Sequence, residues 1–319
     1  MSAEKLHLQI AASKAYYAGT PFLTNEEYDS LFGDSGPVGT GELGDIPHLR
    51  PMYSLQKHYL EDGEAPIKNH PLVVSKKFDG AAISLLFVDG VFLRALTRGD
   101  GIKGRDVTAK VAHLIPGEIE EKRVIQITGE VVAKNTVPNA RNYASGALNL
   151  KSMDEFLGRL DEGDLRFIAY GLESQEGYLS ETYTEDMNYL HSLGFDTVLA
   201  NPFNEDYPVD GEVYRVDSNI LFEEMGYTSK HPRGSYALKE RDKPVVTILK
   251  GVVWQTGKSG KVTPVGILEP IKIDDATISR VTLNNMEFIK AMNLQIGCEV
   301  EVIRAGKIIP CIVGRAVRK

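Results

Sequence analysis

Lys77 stands in the tetrapeptide Lys77-Phe78-Asp79-Gly80, between the apolar run Pro71 to Val74 and the apolar run Ala81 to Val88. A lysine held at such a strand end is partly shielded from water. Burial and cationic neighbours favour the neutral amine of a lysine, which attacks phosphorus and carbonyl centres. This is a nucleophile's setting. Four residues also recur by chance, and a lysine ahead of an Asp-Gly turn is usually a solvated strand end. Taken alone, the motif leaves both readings open.

Three kinds of segment surround it. Residues 4 to 18 carry apolar or aromatic positions at Leu6, Ile10, Ala11, Tyr16 and Tyr17, a helical pattern that ends at Gly19 before Pro21. A second helix is expected from Thr24, whose hydroxyl can cap the first turn while Glu27 closes a capping box. The Gly-rich stretch Gly33 to Gly44 then breaks the pattern. From Pro71 the runs become strand-like. Ala81 to Val88 and Val91 to Leu96 flank Asp89-Gly90, a two-residue hairpin signal, and further strands are expected over Val124 to Ala133, Arg166 to Tyr170 and Gly211 to Val216. Met153 to Leu160 and Tyr183 to Leu193 read as helices. The mixture predicts an α+β domain whose antiparallel sheets enclose a nucleotide cleft. After Lys243-Pro244 come short strands over Val245 to Thr256, Val262 to Leu268, Glu299 to Arg304 and Ile308 to Val313, a series consistent with a five-stranded OB barrel or another small barrel. Domain boundaries are expected at 1–65, 66–241 and 242–319.

Composition narrows the function classes. With 319 residues, 42% hydrophobic and 25% charged, the chain can bury a sizeable core. No apolar run approaches the roughly 20 residues of a membrane span, and the start Met1-Ser2-Ala3-Glu4-Lys5 has no signal-peptide pattern, so a cytosolic protein with no membrane partner is expected. Two cysteines, Cys298 and Cys311, cannot supply a four-cysteine zinc site, and no zinc is expected. The net charge of −8 argues against a generally sticky nucleic-acid binder. It is unevenly placed: residues 242 to 319 hold 12 Lys/Arg and 7 Asp/Glu, giving +5, which leaves −13 for the rest. A basic last third can face phosphates, or form a solvated mixed-charge surface.

The residues around Lys77 match one family in order. Thr97-Arg98-Gly99-Asp100-Gly101, Gly104-Arg105-Asp106-Val107-Thr108, Thr128-Gly129-Glu130-Val131, Ala140-Arg141-Asn142, Phe167-Ile168-Ala169-Tyr170-Gly171, Val209-Asp210-Gly211-Glu212-Val213 and Tyr227-Thr228-Ser229-Lys230 follow one another, with Val281-Thr282-Leu283-Asn284-Asn285 and Arg304-Ala305-Gly306-Lys307-Ile308-Ile309-Pro310 near the end. Together they resemble the NAD-dependent DNA ligases over nearly the whole chain. The resemblance implies a helical module that grips nicotinamide mononucleotide (NMN), a nucleotidyltransferase domain and an OB barrel.

It also implies roles. Lys77 attacks the NAD α-phosphate and holds AMP as a phosphoramide, supported by Asp79, by the late-motif Lys239, and by Arg215 where the family usually has lysine. Glu130 binds the ribose region, and with Asp210 it is associated with magnesium. Ser75, Arg98 and Tyr170 match positions around the nucleotide; a core tyrosine is the alternative for Tyr170. Tyr16, Tyr17, Asn25, Tyr28, Asp29 and the pair Ser54-Leu55 match NAD contacts, and this module is what separates NAD from ATP users. Nicked duplex DNA is the implied partner, gripped by Arg141 and by the basic Lys258, Lys261, Arg280 and Arg304.

Three departures stand out. Ser75 replaces the glutamate expected to contact the adenine amino group, Asn149 replaces an arginine for which Lys151 is a substitute, and Gly234 replaces a tryptophan. Family members usually continue into a zinc element, helix-hairpin-helix repeats and a BRCT domain. A minimal ligase, a fragment, or one subunit of a split enzyme with a separate DNA-clamping chain are the expectations that follow. An ATP-dependent polynucleotide ligase, an RNA-capping nucleotidyltransferase and a non-catalytic OB-fold subunit are the competing readings.

Overall fold

The computed structural model describes residues 46–200, 205–241, 243–256, 260, 262–273, 276–305 and 309–316. The two helices expected before Gly33, and the site residues Tyr16, Tyr17, Asn25, Tyr28, Asp29, Lys258 and Lys261, lie outside the described residues. The chain divides into two compact units, Met1–Lys239 and Glu240–Lys319.

In the first unit the chain runs through β1 (Ile46–Pro47), β2 (Gln56–Tyr59), β3 (Leu72–Phe78), β4 (Ala81–Val88), β5 (Val91–Thr97), β6 (Lys103–Gly104), α1 (Thr108–Val111) and β7 (Ile125–Val132). It continues through α2 (Ala140–Leu148), α3 (Met153–Gly163), β8 (Arg166–Ser174), α4 (Tyr183–Ser192), β9 (Asp196–Thr197), β10 (Val209–Val216), α5 (Asn219–Met225) and β11 (Ser235–Lys239). Two sheets result, one of order β5-β4-β7-β8-β9 and one of order β2-β11-β10-β3, with β1 and β6 forming a small ladder.

Local chemistry accounts for the joints. Val88 pairs with Val91 across Asp89 and Gly90, whose φ values of 50° and 78° are both positive, as a twist-matched two-residue turn requires. Ser152 caps α3 by accepting from the Glu155 amide, and Thr182 with Glu185 forms the reciprocal capping box of α4. Along β4 and up to Val131 of β7 the core positions alternate: Ile83, Leu85, Phe87, Ile125, Ile127 and Val131 are fully buried in the main core, which also takes Val132 of β7, Ala144 and Leu148 of α2, Phe156 of α3 and Met187 and Leu190 of α4. The alternate positions Ser84, Gln126 and Glu130 point to the other face of the sheet. One face is therefore apolar and helix-covered, and the other carries the polar Ser84, Gln126 and Glu130 beside Leu86 and Val88.

The second unit comprises β12 (Val245–Thr256), β13 (Val262–Ile273), β14 (Ala276–Thr282), α6 (Met286–Ala291), β15 (Glu299–Ala305) and β16 (Ile309–Arg315), and its strands close into a barrel of order β12-β13-β14-β16-β15. Leu249, Leu268, Ile278, Val281, Val300, Val302 and Ile312 fill it. The strand β14 is hidden in the sequence for a physical reason. A register shift between Ile267 and Ile271 of β13 interrupts its ladder with β14, and the two buried residues of β14, Ile278 and Val281, stand three apart instead of two, which leaves no period-two signal.

Gly80, which joins β3 to β4, is demanded by close approach. A Cβ there would lie 2.1 Å from the Val131 carbonyl oxygen, inside a backbone that cannot yield cheaply. The glycine lets the corner pass against β7. Gly80→Ala is expected to lower stability by about 1–3 kcal/mol, the cost of overpacking a fixed backbone, as measured by chemical denaturation of the whole chain.

Candidate active site

The second sheet places the reactive groups by an irregularity. Val209 pairs with Phe78 and Glu212 with Lys76, so β10 spends two residues, Asp210 and Gly211, opposite Lys77 alone. This is a β-bulge, which re-aims a side chain. Gly211 has φ 138°, and a Cβ there would meet the Leu238 carbonyl at 2.4 Å. Asp210 is thereby turned toward the strands on both sides. Lys77 Nζ from β3 lies 3.2 Å from its Oδ1, and Lys239 Nζ from β11 donates to its Oδ2. Burial works to raise the Asp210 carboxyl, yet the ammonium groups of Lys77 and Lys239 hold it below the ordinary carboxylate range. Its side chain is 12% exposed and that of Lys77 is 29% exposed, so the nucleophile candidate is accessible while its partner is not.

Glu130 approaches from the first sheet. Its Oε1 accepts from the Gly80 amide at 3.1 Å, which ties the lysine motif to β7. Burial raises its carboxyl to about 7, against the opposing pull of the Lys77 ammonium and the Gly80 N–H. Asp79 is buried, its amide donates to the Pro208 carbonyl at 2.8 Å, and its Oδ1 lies 3.2 Å from Arg141 Nη1. Arg141 is thus brought to the lysine motif by α2 rather than left as an independent surface cation.

The segment before β2 crosses the polar face of the first sheet. His48 Nε2 donates to the Arg98 carbonyl at 3.1 Å and its Nδ1 accepts from Ser84 Oγ at 2.8 Å. The Arg50 amide and carbonyl are both held by the Gln126 side chain, at 3.0 and 2.9 Å, and Arg50 Nε lies 3.2 Å from Glu173 Oε2. Ser54 donates from its amide to the Lys230 carbonyl at 3.2 Å, and its hydroxyl lies 3.1 Å from His231 Nδ1. Leu55 is half-buried beside it, and Arg98 is exposed. Tyr170 is half-buried on β8 near Glu130 and Arg98, and burial pushes its phenol far above the ordinary range. Ser75 is buried two residues before Lys77 on the same inward side of β3, whereas Val74 and Lys76 are exposed.

Two expected site residues are buried among structural partners instead. Arg215 is buried in an aromatic box, 4.1 Å over Phe222, 4.3 Å over Tyr183 and 5.3 Å over Tyr178. It donates to the Val216 carbonyl and to Asn219 Oδ1. Its planar fork is satisfied there, four residues along the ladder from Lys77, and a phosphate contact would require leaving the box. Arg304, expected at a DNA face, is buried and directs Nη1 toward the Ile273 carbonyl at 3.4 Å, so its charge is not presented to solvent. Arg280 is exposed on β14.

The departures acquire explanations. Arg105 Nη2 donates to Asn149 Oδ1 at 2.6 Å, so an arginine of the Gly104-Arg105-Asp106 motif, to which sequence reasoning assigned no role of its own, stands against the position where arginine was expected. Phe222 occupies the room beside Gly234, where a Cβ would meet its ring at 2.5 Å. Neither pairing has a local sequence signal, because both join residues distant along the chain.

A mixed helix and sheet unit with an inward lysine cluster, followed by a closed five-stranded barrel, is the architecture of a nucleotidyltransferase joined to an OB domain. Residues 40–205 match the NAD-dependent DNA ligase adenylation domain, and residues 246–319 match the NAD-dependent DNA ligase OB-fold domain. The chain belongs to the NAD-dependent DNA ligase family. It is 31% identical to DNA ligase 1 of Nocardia farcinica, covering 94% of this chain and 53% of that protein. It is 32% identical to a DNA ligase of Campylobacter concisus, covering 95% and 56%, and 33% identical to a DNA ligase of Aquifex aeolicus, covering 94% and 51%. The chain spans about half the length of these curated relatives.

The raised Glu130 carboxyl has a consequence for stability. The folded chain keeps a proton that the unfolded chain releases near 4.5, so this carboxyl favours the fold fully below that pH and loses its contribution as pH rises to about 7. Glu130→Gln is therefore expected to gain stability relative to the unsubstituted protein between about pH 5 and pH 8, by up to about 3 kcal/mol. Denaturant melts of both proteins across that range check it.

Proposed function

We propose that this chain is a DNA ligase, or the adenylating subunit of one, that takes AMP from NAD onto Lys77 and delivers it to a nick. In the first step Lys77 Nζ forms a bond to the NAD α-phosphorus, the bond from that phosphorus to the NMN oxygen breaks, and NMN leaves with the electron pair. The amine proton is lost to solvent or a neighbouring base. The AMP then passes to the 5′-phosphate of the nick, and the 3′-hydroxyl displaces it to form the phosphodiester. Family membership favours NAD over ATP as the donor.

The observation that carries this reading is the Lys77–Asp210–Lys239 array. Asp210 holds two ammonium groups side by side in a shielded place, so one can act as nucleophile while the second stays to balance the phosphate charge. An arriving phosphate would compete with Asp210 for Lys239. Asp79 with Arg141 fixes the turn after Lys77, Glu130 meets the ribose region, Tyr170 offers a ring to the base, and Ser75 and Arg98 line the nucleotide site. Arg215 supports the site from its aromatic box.

Among the described residues no group of three or more His, Cys, Asp or Glu could hold a metal. Magnesium needs fewer protein ligands, because it keeps several waters and binds through one or two carboxylates and substrate phosphates. Asp210 Oδ1 is a buried oxygen without an aligned hydrogen bond, which fits such a hydrated ion. Glu130 and Asp210 would hold it, and the ion would spread negative charge from the reacting phosphate.

Residues 1–65 are assigned to NMN recognition through Tyr16, Tyr17, Asn25, Tyr28, Asp29, Ser54 and Leu55, residues 66–241 to adenylyl transfer, and residues 242–319 to nicked duplex DNA. Lys258, Lys261 and Arg280 supply the phosphate grip. Among the described residues no helix is long and apolar enough to cross a membrane, and the reading puts the protein in the cytosol.

Intact mass spectrometry after incubation with NAD and magnesium is expected to show one added AMP, absent from Lys77→Ala. Asp210→Asn should slow its formation by at least about tenfold, the worth of a lost charge-assisted contact. An undiminished adduct on Lys77→Ala would remove the assignment.

The +5 charge of residues 242–319 offers few phosphate contacts, and such contacts weaken steeply with salt. We therefore propose that efficient sealing uses a separate DNA-clamping chain. This chain alone is expected to seal nicks at low salt and to lose most of that activity near 150 mM, roughly the physiological ionic strength. Rapid multiple-turnover sealing by the chain alone at that salt would show that no such partner is needed.

A further inference from the structure

A site that reads adenine needs a hydrogen-bond acceptor for the 6-amino group, and the expected carboxylate on β3 is replaced by Ser75. We propose that Glu173, oriented by Arg50, supplies that acceptor from the opposite sheet and so determines the purine specificity of this chain. The inference rests on the reading of NAD as the substrate.

The carboxylates nearest Lys77 are engaged with the lysine motif itself, and Glu173 is not. Asp210 is taken by Lys77 and Lys239, and Glu130 accepts from the Gly80 amide. Gln126, the neighbouring amide, spends both its ends on the Arg50 backbone. Glu173 uses only Oε2, at 3.2 Å from Arg50 Nε, and its Oε1 accepts no hydrogen bond among the described residues. Its side chain is 28% exposed, so the open oxygen is reachable by a ligand.

Its position suits the far end of a nucleoside. Glu173 pairs with Gln126 across the β7–β8 ladder and so shares the sheet face of Glu130, four residues further along β7 or about 13 Å. Tyr170 precedes it on β8. On the other sheet Ser75 pairs with Val213, and Arg215, next but one along β10, is close enough to act electrostatically on both Glu173 and Tyr178. Glu173 therefore reaches the side of the cleft that Ser75 leaves open. Arg50 aims the carboxylate, since its own backbone is clamped by Gln126, and its guanidinium opposes the upward push that burial gives the Glu173 carboxyl.

A purely structural ion pair would pin the chain at Arg50 without regard to the base, and the two roles separate with a changed purine. Hypoxanthine presents a 6-keto acceptor and an N1–H donor, the reverse of adenine. The experiment measures lysyl-nucleotide formation by intact mass from NAD and from nicotinamide hypoxanthine dinucleotide. The unsubstituted chain is expected to prefer NAD by about tenfold or more in kcat/KM, the worth of one hydrogen bond to a charged group. Glu173→Gln, whose amide can both donate and accept, should abolish most of that preference, and Ser75→Glu added to Glu173→Ala should restore it. A preference within about twofold of the unsubstituted chain in Glu173→Gln, or no restored preference when Ser75→Glu is added to Glu173→Ala, would overturn the proposal. An unsubstituted chain that gains neither nucleotide overturns the ligase reading itself, and this inference with it.

Discussion

Much of the first unit is organised around one carboxylate shared by two ammonium groups. Asp210 is nearly buried, and a buried charge is tolerated only when paired. Its two partners come from the strands on either side of β10, so the middle strand of three carries the anion and its neighbours carry the cations. The bulge at Asp210–Gly211 makes this arrangement possible, and glycine makes the bulge possible. Without the extra residue, strand alternation would bring a different side chain opposite Lys77.

A second constraint sets what faces the array. The first sheet uses most of its apolar positions on the helix-covered side, and strand alternation then sends Ser84, Gln126 and Glu130 to the opposite side. The segment from His48 to Ser54 crosses that side and satisfies much of its polarity with main-chain and side-chain hydrogen bonds. Glu130 is raised to about 7 because burial outweighs the Lys77 ammonium, while Asp210 stays ionised because two ammonium groups outweigh burial. Two carboxyls beside one lysine are thus driven in opposite directions by their surroundings, which is how a site obtains both a fixed charge and a titratable group near neutral pH.

Where local pattern and local partners coincide, the sequence was legible. The β4–β5 hairpin follows from apolar alternation and Asp89-Gly90, and α4 follows from its capping box and periodicity. The barrel strand β12 stands within the same bounds read from its apolar residues. By contrast β11 is five residues long and carries Tyr236 and Leu238 to a small cluster with Ile67 and Val216, which gives no strong run of its own. The three-residue spacing of Ile278 and Val281 likewise disguises β14. Short and irregular strands borrow their stability from distant neighbours, and a sequence window contains no record of that.

The same division runs through the site. The sequence by itself determined the family, the candidate nucleophile Lys77 and the acids Glu130 and Asp210, because these residue types recur at characteristic spacings around chemistry that needs them. It also determined that glycine follows both Asp79 and Asp210. Only the tertiary structure decided that Lys239 shares Asp210 with Lys77, that Arg141 pairs with Asp79, and that Arg215 and Arg304 are turned into buried partners. It also set Arg105 against Asn149 and left Glu173 with an open oxygen beside Arg50. A residue's type sets the charge and hydrogen bonds it can offer, but which partner receives them depends on strand register and on contacts between residues far apart in the chain.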